Sequence, residues 1–225
     1  MIMKHIIYAV LFFSFCAPTL SAQNESLWKP LFGTGLSEAV YNPEVWSETG
    51  GVLTANKDEA IWTTEEYENF ELDLEFKNDV ATNSGVVVYC ADKEDWIPNS
   101  VEIQIADDHY EKWKDNKSYE RCGAIYGHLG PRLEKVVKKP GQWNHMRIRC
   151  TGKRISVILN GKKVTEMDMS KWTSGTVNPD GTEIPSWLPK PFAELNTKGF
   201  IGLQGKHGNA TIWFRNIKVR QVDVN

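Results

Sequence analysis

The feature that most constrains this chain is a period of two. Phe70, Leu72, Leu74 and Phe76 alternate with Glu71, Asp73 and Glu75, and Val101, Ile103 and Ile105 alternate with Glu102 and Gln104. Met146, Ile148 and Cys150 alternate with Arg147 and Arg149, and Ile155, Val157 and Leu159 repeat the rule. Successive side chains of a strand point to opposite faces, so each segment has one apolar and one polar face. No segment sustains the spacing of an amphipathic helix. Apolar strand faces need a second sheet to cover them, and the pattern therefore predicts an all-β sandwich of two antiparallel sheets.

Turn chemistry refines that expectation. Asn160-Gly161 separates two extended runs and supplies the positive φ angles of a type I′ hairpin. Residues 170–197 carry Pro179, Pro185, Pro189 and Pro191 with Gly175 and Gly181, too much punctuation for regular structure. They predict a long excursion over one face, bracketed by Trp172 and Trp187 and placed to cap a groove; long loops in compact domains tend to serve function. No repeat, low-complexity tract or linker divides the chain, so residues 23–225 are expected to form one domain.

The amino terminus reads as an address. Lys4 precedes an apolar run from Ile6 to Phe15, and Leu20-Ser21-Ala22 then offers a small-residue cleavage site. Residues 1–22 are expected to be a signal peptide cleaved after Ala22, which implies a periplasmic or extracellular location. Lipoprotein processing at Cys16 is the rival, but Ser14 and Phe15 fit its small-residue positions poorly. No later stretch approaches the ~20 apolar residues of a spanning helix, so no membrane span is expected. The chain holds 26 Lys+Arg against 29 Asp+Glu, a net charge of −3, without the basic surplus of a nucleic-acid-binding domain, and no nucleic-acid partner is expected.

Loss of the leader would leave Cys90, Cys122 and Cys150, an odd number that allows at most one disulfide and reads as three core cysteines. There is no C-x-x-C pair and no H-E-x-x-H, so a zinc site of ordinary spacing is not indicated. Nine Trp, seven Tyr and nine Phe can fill a sandwich core or line a sugar-binding groove, and composition does not separate the two.

Three clusters could carry chemistry. Glu71, Asp73 and Glu75 share one face of one strand, the E-x-D-x-E arrangement in which retaining β-glucanases hold a nucleophile and an acid/base, since crowded carboxylates raise one another's pKa. The competing reading is an acidic solvent face. Glu102 and Gln104 share the polar face of a second strand, with Asp107 just past its end; a carboxylate beside an amide can move a proton and hold an oxyanion, although an ordinary surface Glu fits equally well. Gly123-Ala124-Ile125-Tyr126-Gly127 follows, with glycines that let the backbone approach a ligand and present Tyr126. Third, Gly202-Leu203-Gln204-Gly205-Lys206-His207-Gly208 offers an amide, an amine and an imidazole in a turn. Asn83-Ser84-Gly85 is a similar polar turn.

These stretches also carry a resemblance. Trp28-Lys29-Pro30-Leu31-Phe32, Trp62-Thr63-Thr64-Glu65-Glu66-Tyr67, Phe70-Glu71-Leu72, Asn83-Ser84-Gly85, Glu102-Ile103-Gln104, Ile125-Tyr126-Gly127, Gly141-Gln142-Trp143-Asn144, Leu159-Asn160-Gly161, Gly199–Gln204 and Trp213-Phe214-Arg215-Asn216-Ile217 together resemble the 3-keto-disaccharide hydrolase domain family, in order from about Trp28 to Val219. The resemblance implies a concanavalin A-like β-sandwich (jelly roll), an exported protein, and cleavage of glycosides oxidised at C3 of the sugar. It implies a carbohydrate substrate and a pathway link to a sugar 3-dehydrogenase. Carried onto this chain, it points to Glu102, Gln104, Tyr126 and His207 as catalytic candidates, with Glu102 or His207 as base and Gln104 and Arg215 as enolate partners. Trp62 is the expected sugar-stacking platform, and Glu75, Asn83, Gln204 and Arg215 are expected ligands of the substrate. A divalent metal held by Glu and Asp oxygens is a further way to stabilise an enolate, but no ligand spacing decides it. Direct glycoside hydrolysis by the 71–75 carboxylates and a non-catalytic, lectin-like module are the alternatives.

Overall fold

A computed structural model describes residues 28–223 of the chain. The leader expected over residues 1–22 lies outside the described residues. Thirteen strands run in the order β1 (Lys29–Pro30), β2 (Ala39–Val40), β3 (Trp46–Thr49), β4 (Val52–Ala55), β5 (Ile61–Tyr67), β6 (Phe70–Asn78), β7 (Asn83–Cys90), β8 (Val101–Ala106), β9 (Trp143–Thr151), β10 (Arg154–Leu159), β11 (Lys162–Asp168), β12 (Gly199–Leu203) and β13 (Ile212–Gln221). Among the described residues the only helical pieces are three-residue 3₁₀ turns, and none is long and apolar enough to cross a membrane.

The strands form two antiparallel sheets. One has the order β11-β10-β9-β6-β13-β4-β3, with β1 added beside β13; the other has five strands in the order β2-β5-β12-β7-β8. The period of two sets what each sheet buries. Leu72, Leu74, Phe76, Met146, Ile148 and Phe214 of the larger sheet meet Ile61, Val86, Val88, Ile103, Ile105 and Ile201 of the smaller in one contiguous core. Each such side chain contributes roughly 1.5–3 kcal/mol on leaving water, so the alternation fixes which face turns inward. Both sheets consequently have an outer face, and the polar residues of β6 and of β8 lie on opposite sides of the molecule.

The hairpin predicted at Asn160-Gly161 joins β10 to β11, with φ of 49° and 78° at its two central residues. A β-bulge interrupts the pairing of β12 with β7, where Tyr89 has φ 58°. That extra residue turns Tyr89 into the core, where its hydroxyl donates to the Gly152 carbonyl at 2.8 Å, and sends Cys90 to the outer face. All three cysteines are buried and free, but only Cys122 and Cys150 lie in the core between the sheets; Cys90, expected there too, packs with Trp62 and Val87 on the outer face.

Two irregular segments flank the β8 edge. Residues 107–142 contain no strand, and Ile125 bridges Ile103, so this segment covers an edge that would otherwise expose unpaired backbone groups. The excursion over residues 170–197 is irregular as expected, with one isolated bridge between Val177 and Glu183. Its Trp172 is buried and donates from Nε1 to Asn178 Oδ1 at 2.9 Å.

Candidate functional site

The outer face of the five-stranded sheet gathers most of the candidate residues. Gly85 pairs with Gln104, and Val87 with Glu102, across β7 and β8; on the other side of β7, Gly202 pairs with Val87 and, through β5, with Trp62. Trp62, Gly202, Val87 and Glu102 therefore lie in one row across four strands. Two glycines make room in this layer. A Cβ at Gly85 would overlap the Glu102 carboxyl, and one at Gly202 would overlap the Trp62 indole. Both side chains can lie flat on the sheet only because those positions carry none.

Glu102 is the unusual group of this face. Its carboxylate has no cation partner among the described residues, and burial pushes its pKa up to about 8, with the negative charge of Asp58 adding to the shift. A carboxyl in that range is largely protonated at neutral pH and can give up its proton near it. Beyond it, the turn after β12 carries Gln204 and His207, and His207 bridges Asn83 on β7. His207 Nδ1 lies 2.5 Å from Asp58 Oδ2, and Gln204 Nε2 donates to Asp58 Oδ1 at 3.3 Å. With Nδ1 held by a carboxylate, the imidazole is left with Nε2 free to accept a proton.

Gln104 Nε2 donates to Asn83 Oδ1 at 2.8 Å, while the buried amide oxygens of Gln104 and Gln204 find no protein donor. Buried acceptors without partners are uncommon and mark places where a ligand hydroxyl or water belongs. The Tyr126 backbone N–H donates to the Glu102 carbonyl at 2.9 Å, fixing the tyrosine beside β8. Burial pushes the Tyr126 phenol up to about 12, with the Glu102 charge second, so it is a hydrogen-bond donor at neutral pH.

Several expectations change here. Trp62 is on the right face but only 6% exposed, because Trp96 packs edge-on against it with ring centroids 6.1 Å apart; it forms a floor and wall, not an open platform. The glycines around Tyr126 do not bring backbone to a ligand: a Cβ at Gly127 would meet Leu188 and Pro185, and one at Gly123 would meet Val164. Glu75 and Arg215 are not part of this face. They sit on β6 and β13, on the outer side of the larger sheet, where Arg215 Nε donates to Glu75 Oε2 at 2.9 Å and the guanidinium lies 4.0 Å over the Trp143 ring.

On that other face the carboxylates of the glucanase reading are paired with cations. Glu71 is held by Arg149 at 3.0 Å and Arg220 at 2.5 Å, and Asp73 by Arg147 at 2.7 Å and His145 at 2.9 Å. The arginine beside Glu75 holds its carboxyl below the usual range, the opposite of a protonated acid. The three carboxylates do share a face, as the alternation requires, but each is neutralised.

Asp58 went unnoticed in the sequence. It lies in the Asn56-Lys57-Asp58-Glu59 loop, which matches no motif, and it reaches His207 because Gly205 packs tightly against the Lys57 and Glu59 carbonyls. No cluster of three or more His, Cys, Asp or Glu side chains suited to a metal occurs among the described residues.

With this geometry in view, the model of the 3-keto-alpha-glucoside-1,2-lyase-like domain matches residues 27–220. The chain belongs to that family. Among proteins similar to it is a 3-keto-disaccharide hydrolase of Bacteroides thetaiotaomicron, 28% identical over 175 residues; the match covers 70% of this chain and 60% of that protein, so the family domain here corresponds to part of a longer relative. A Parabacteroides distasonis protein of known crystal structure, provisionally named a glycosyl hydrolase, is 78% identical and superposes with a TM-score of 0.85, covering 87% of this chain and 99% of that one. A Bacillus subtilis protein of unknown function with a galectin-like fold shares 12% identity at a TM-score of 0.53 over 86% of this chain and 94% of its own, a likeness of fold. The family domain is thus built on the concanavalin A-like and galectin-like sandwich.

Proposed function

We propose that this protein is an exported enzyme that cleaves the glycosidic bond of 3-keto-glycosides by elimination, on the outer face of the five-stranded sheet. The observation that carries the reading is the half-buried Glu102 carboxyl lying over Gly85, without a cation partner among the described residues and pushed up to about 8, one strand pair away from the His207–Asp58 couple. A ketone at C3 acidifies the proton on C2. His207 Nε2 takes that proton, the electron pair forms the C2–C3 enolate, and collapse of the enolate expels the C1 substituent as protonated Glu102 gives its proton to the leaving oxygen. Tyr126 and the amides of Asn83 and Gln104 are the donors placed to hold the enolate oxygen.

The product is an unsaturated 3-keto sugar, and addition of water across its C1–C2 double bond gives net hydrolysis. Elimination followed by hydration accounts for the word lyase in the family description and the word hydrolase in the name of the Bacteroides relative. The substrate must come from a reaction that oxidises a sugar C3 hydroxyl, which links the enzyme to a sugar 3-dehydrogenase. The leader over residues 1–22 would deliver it to the periplasm or beyond.

The test is to incubate the protein with a glycoside and, separately, with its 3-keto derivative, following aglycone release. Release from the 3-keto compound alone is expected. Cleavage of only the unoxidised glycoside overturns the proposal, and saturable binding of both without turnover supports a lectin-like module.

A further inference from the structure

The proline-rich excursion over residues 170–197 is fastened to the turn that carries Tyr126. Asn178 Nδ2 donates to the Gly127 carbonyl at 3.2 Å, and His128 stacks on Phe192 with ring centroids 3.7 Å apart. The Leu188 N–H closes a turn onto the Pro185 carbonyl at 2.9 Å, and Leu188 and Pro185 both pack against Gly127. Lys190 bonds Asn99 in the segment leading into β8, a second attachment to the same sheet edge.

Within the turn so anchored, Trp187 stands 56% exposed, the only exposed tryptophan in the outward-facing hydrophobic set of the described residues. It neighbours the Tyr126 phenol. Its two neighbours in the turn are fixed on Gly127, so the ring is held out beside the site by a rigid support. Leaving an indole in water costs apolar burial that a core position would recover.

The row of groups across the sheet then has an aromatic at each end. Trp62 lies on the β5 side of Glu102, and Tyr126 with Trp187 lies beyond β8 on the other. We infer that Trp187 forms a second ring-binding subsite, which takes the leaving-group half of the substrate and selects glycosides whose aglycone is itself a ring, a second pyranose or an aromatic, over those with a small alkyl group. The inference rests on the proposed cleavage at Glu102 and extends it to the other side of the scissile bond. Stacking of a sugar or aromatic face on indole, with the Trp187 N–H and Tyr126 hydroxyl at its edge, is the chemistry that would recognise it.

The experiment compares a 3-keto-disaccharide with the methyl 3-keto-glycoside of the same sugar, using wild type, Trp187→Ala and Trp187→Phe. For Trp187→Ala we expect kcat/KM to fall about tenfold further on the disaccharide than on the methyl glycoside, mostly through KM; Trp187→Phe should recover most of that difference. Equal losses on both substrates, or no loss on either, overturn the inference. Calorimetric titration with the unoxidised disaccharide and methyl glycoside reads the subsite without turnover. If wild type cleaves neither keto substrate, the proposed activity fails. The subsite then stands on wild type binding the disaccharide more tightly and Trp187→Ala losing that preference, and it falls if the preference is absent or survives.

Discussion

The two outer faces of this sandwich present carboxylates in the same way and use them oppositely. On the larger sheet Glu71, Asp73 and Glu75 alternate with core residues along β6, and arginines from β9 and β13 neutralise each of them. On the smaller sheet Glu102 alternates with core residues along β8 in the same register sense, but its neighbours across β7 are Val87 and, by close approach, Gly85. One face gives its acids cations, and the other gives its acid a hydrophobic floor and a like charge at Asp58. The same residue type is an ion-paired anion in the first setting and a carboxyl whose pKa is pushed up in the second.

Glu102 carries the largest expected effect. Glu102→Gln keeps the shape and removes the proton, so turnover of a 3-keto-glycoside should fall by about 10²–10⁴-fold while binding changes little. Glu75→Gln and Glu71→Gln in the same assay should leave turnover within about twofold, as expected of groups engaged by arginine; a large loss there with normal activity in Glu102→Gln would reverse the assignment of the faces. Asp58→Asn should cost roughly 10- to 100-fold in kcat by releasing His207.

Melting as a function of pH sharpens the same contrast with smaller effects. Glu102 has its folded-state pKa raised, so the folded protein holds more protons than the unfolded chain between about pH 4.5 and 8, and stability falls as pH rises through that window. Glu102→Gln should therefore be stabilising at pH 9, on the order of 1–2 kcal/mol, and near neutral at pH 4. Glu75 has its pKa depressed, so its contribution is present above the ordinary carboxylate range and is lost as pH falls through the folded value. Glu75→Gln should cost ~0.5–1 kcal/mol at pH 7, the pair being partly exposed, and less in acid. Slopes of the same sign for the two variants would remove the distinction.

Much of the fold was legible because its cause is local. The period of two in β6, β8, β9 and β10 is written in consecutive residues, and Asn160-Gly161 carries its own turn. The Glu102-Ile103-Gln104, Asn83 and Gln204-to-His207 elements were legible as polar positions on strands and turns, and the sheet brings them together. What could not be read were the partners. Glu71 looked like an exposed acid because Arg149 and Arg220 lie 78 and 149 residues away in the chain. Glu75 and Arg215 were placed at the site because their motifs gave no sign of which sheet they would join. Trp62 looked like an open platform because the ring that covers it, Trp96, comes from an irregular loop. Asp58 was invisible for the same reason: its meaning depends on a backbone contact at Gly205 that no spacing announces.

The central claim is that the bond breaks through loss of the C2 proton, and a 3-keto-glycoside deuterated at C2 tests it most directly. The account predicts a primary isotope effect on kcat and product that has exchanged its C2 deuterium for solvent hydrogen. Cleavage with no isotope effect and with the deuterium retained at C2 would contradict it.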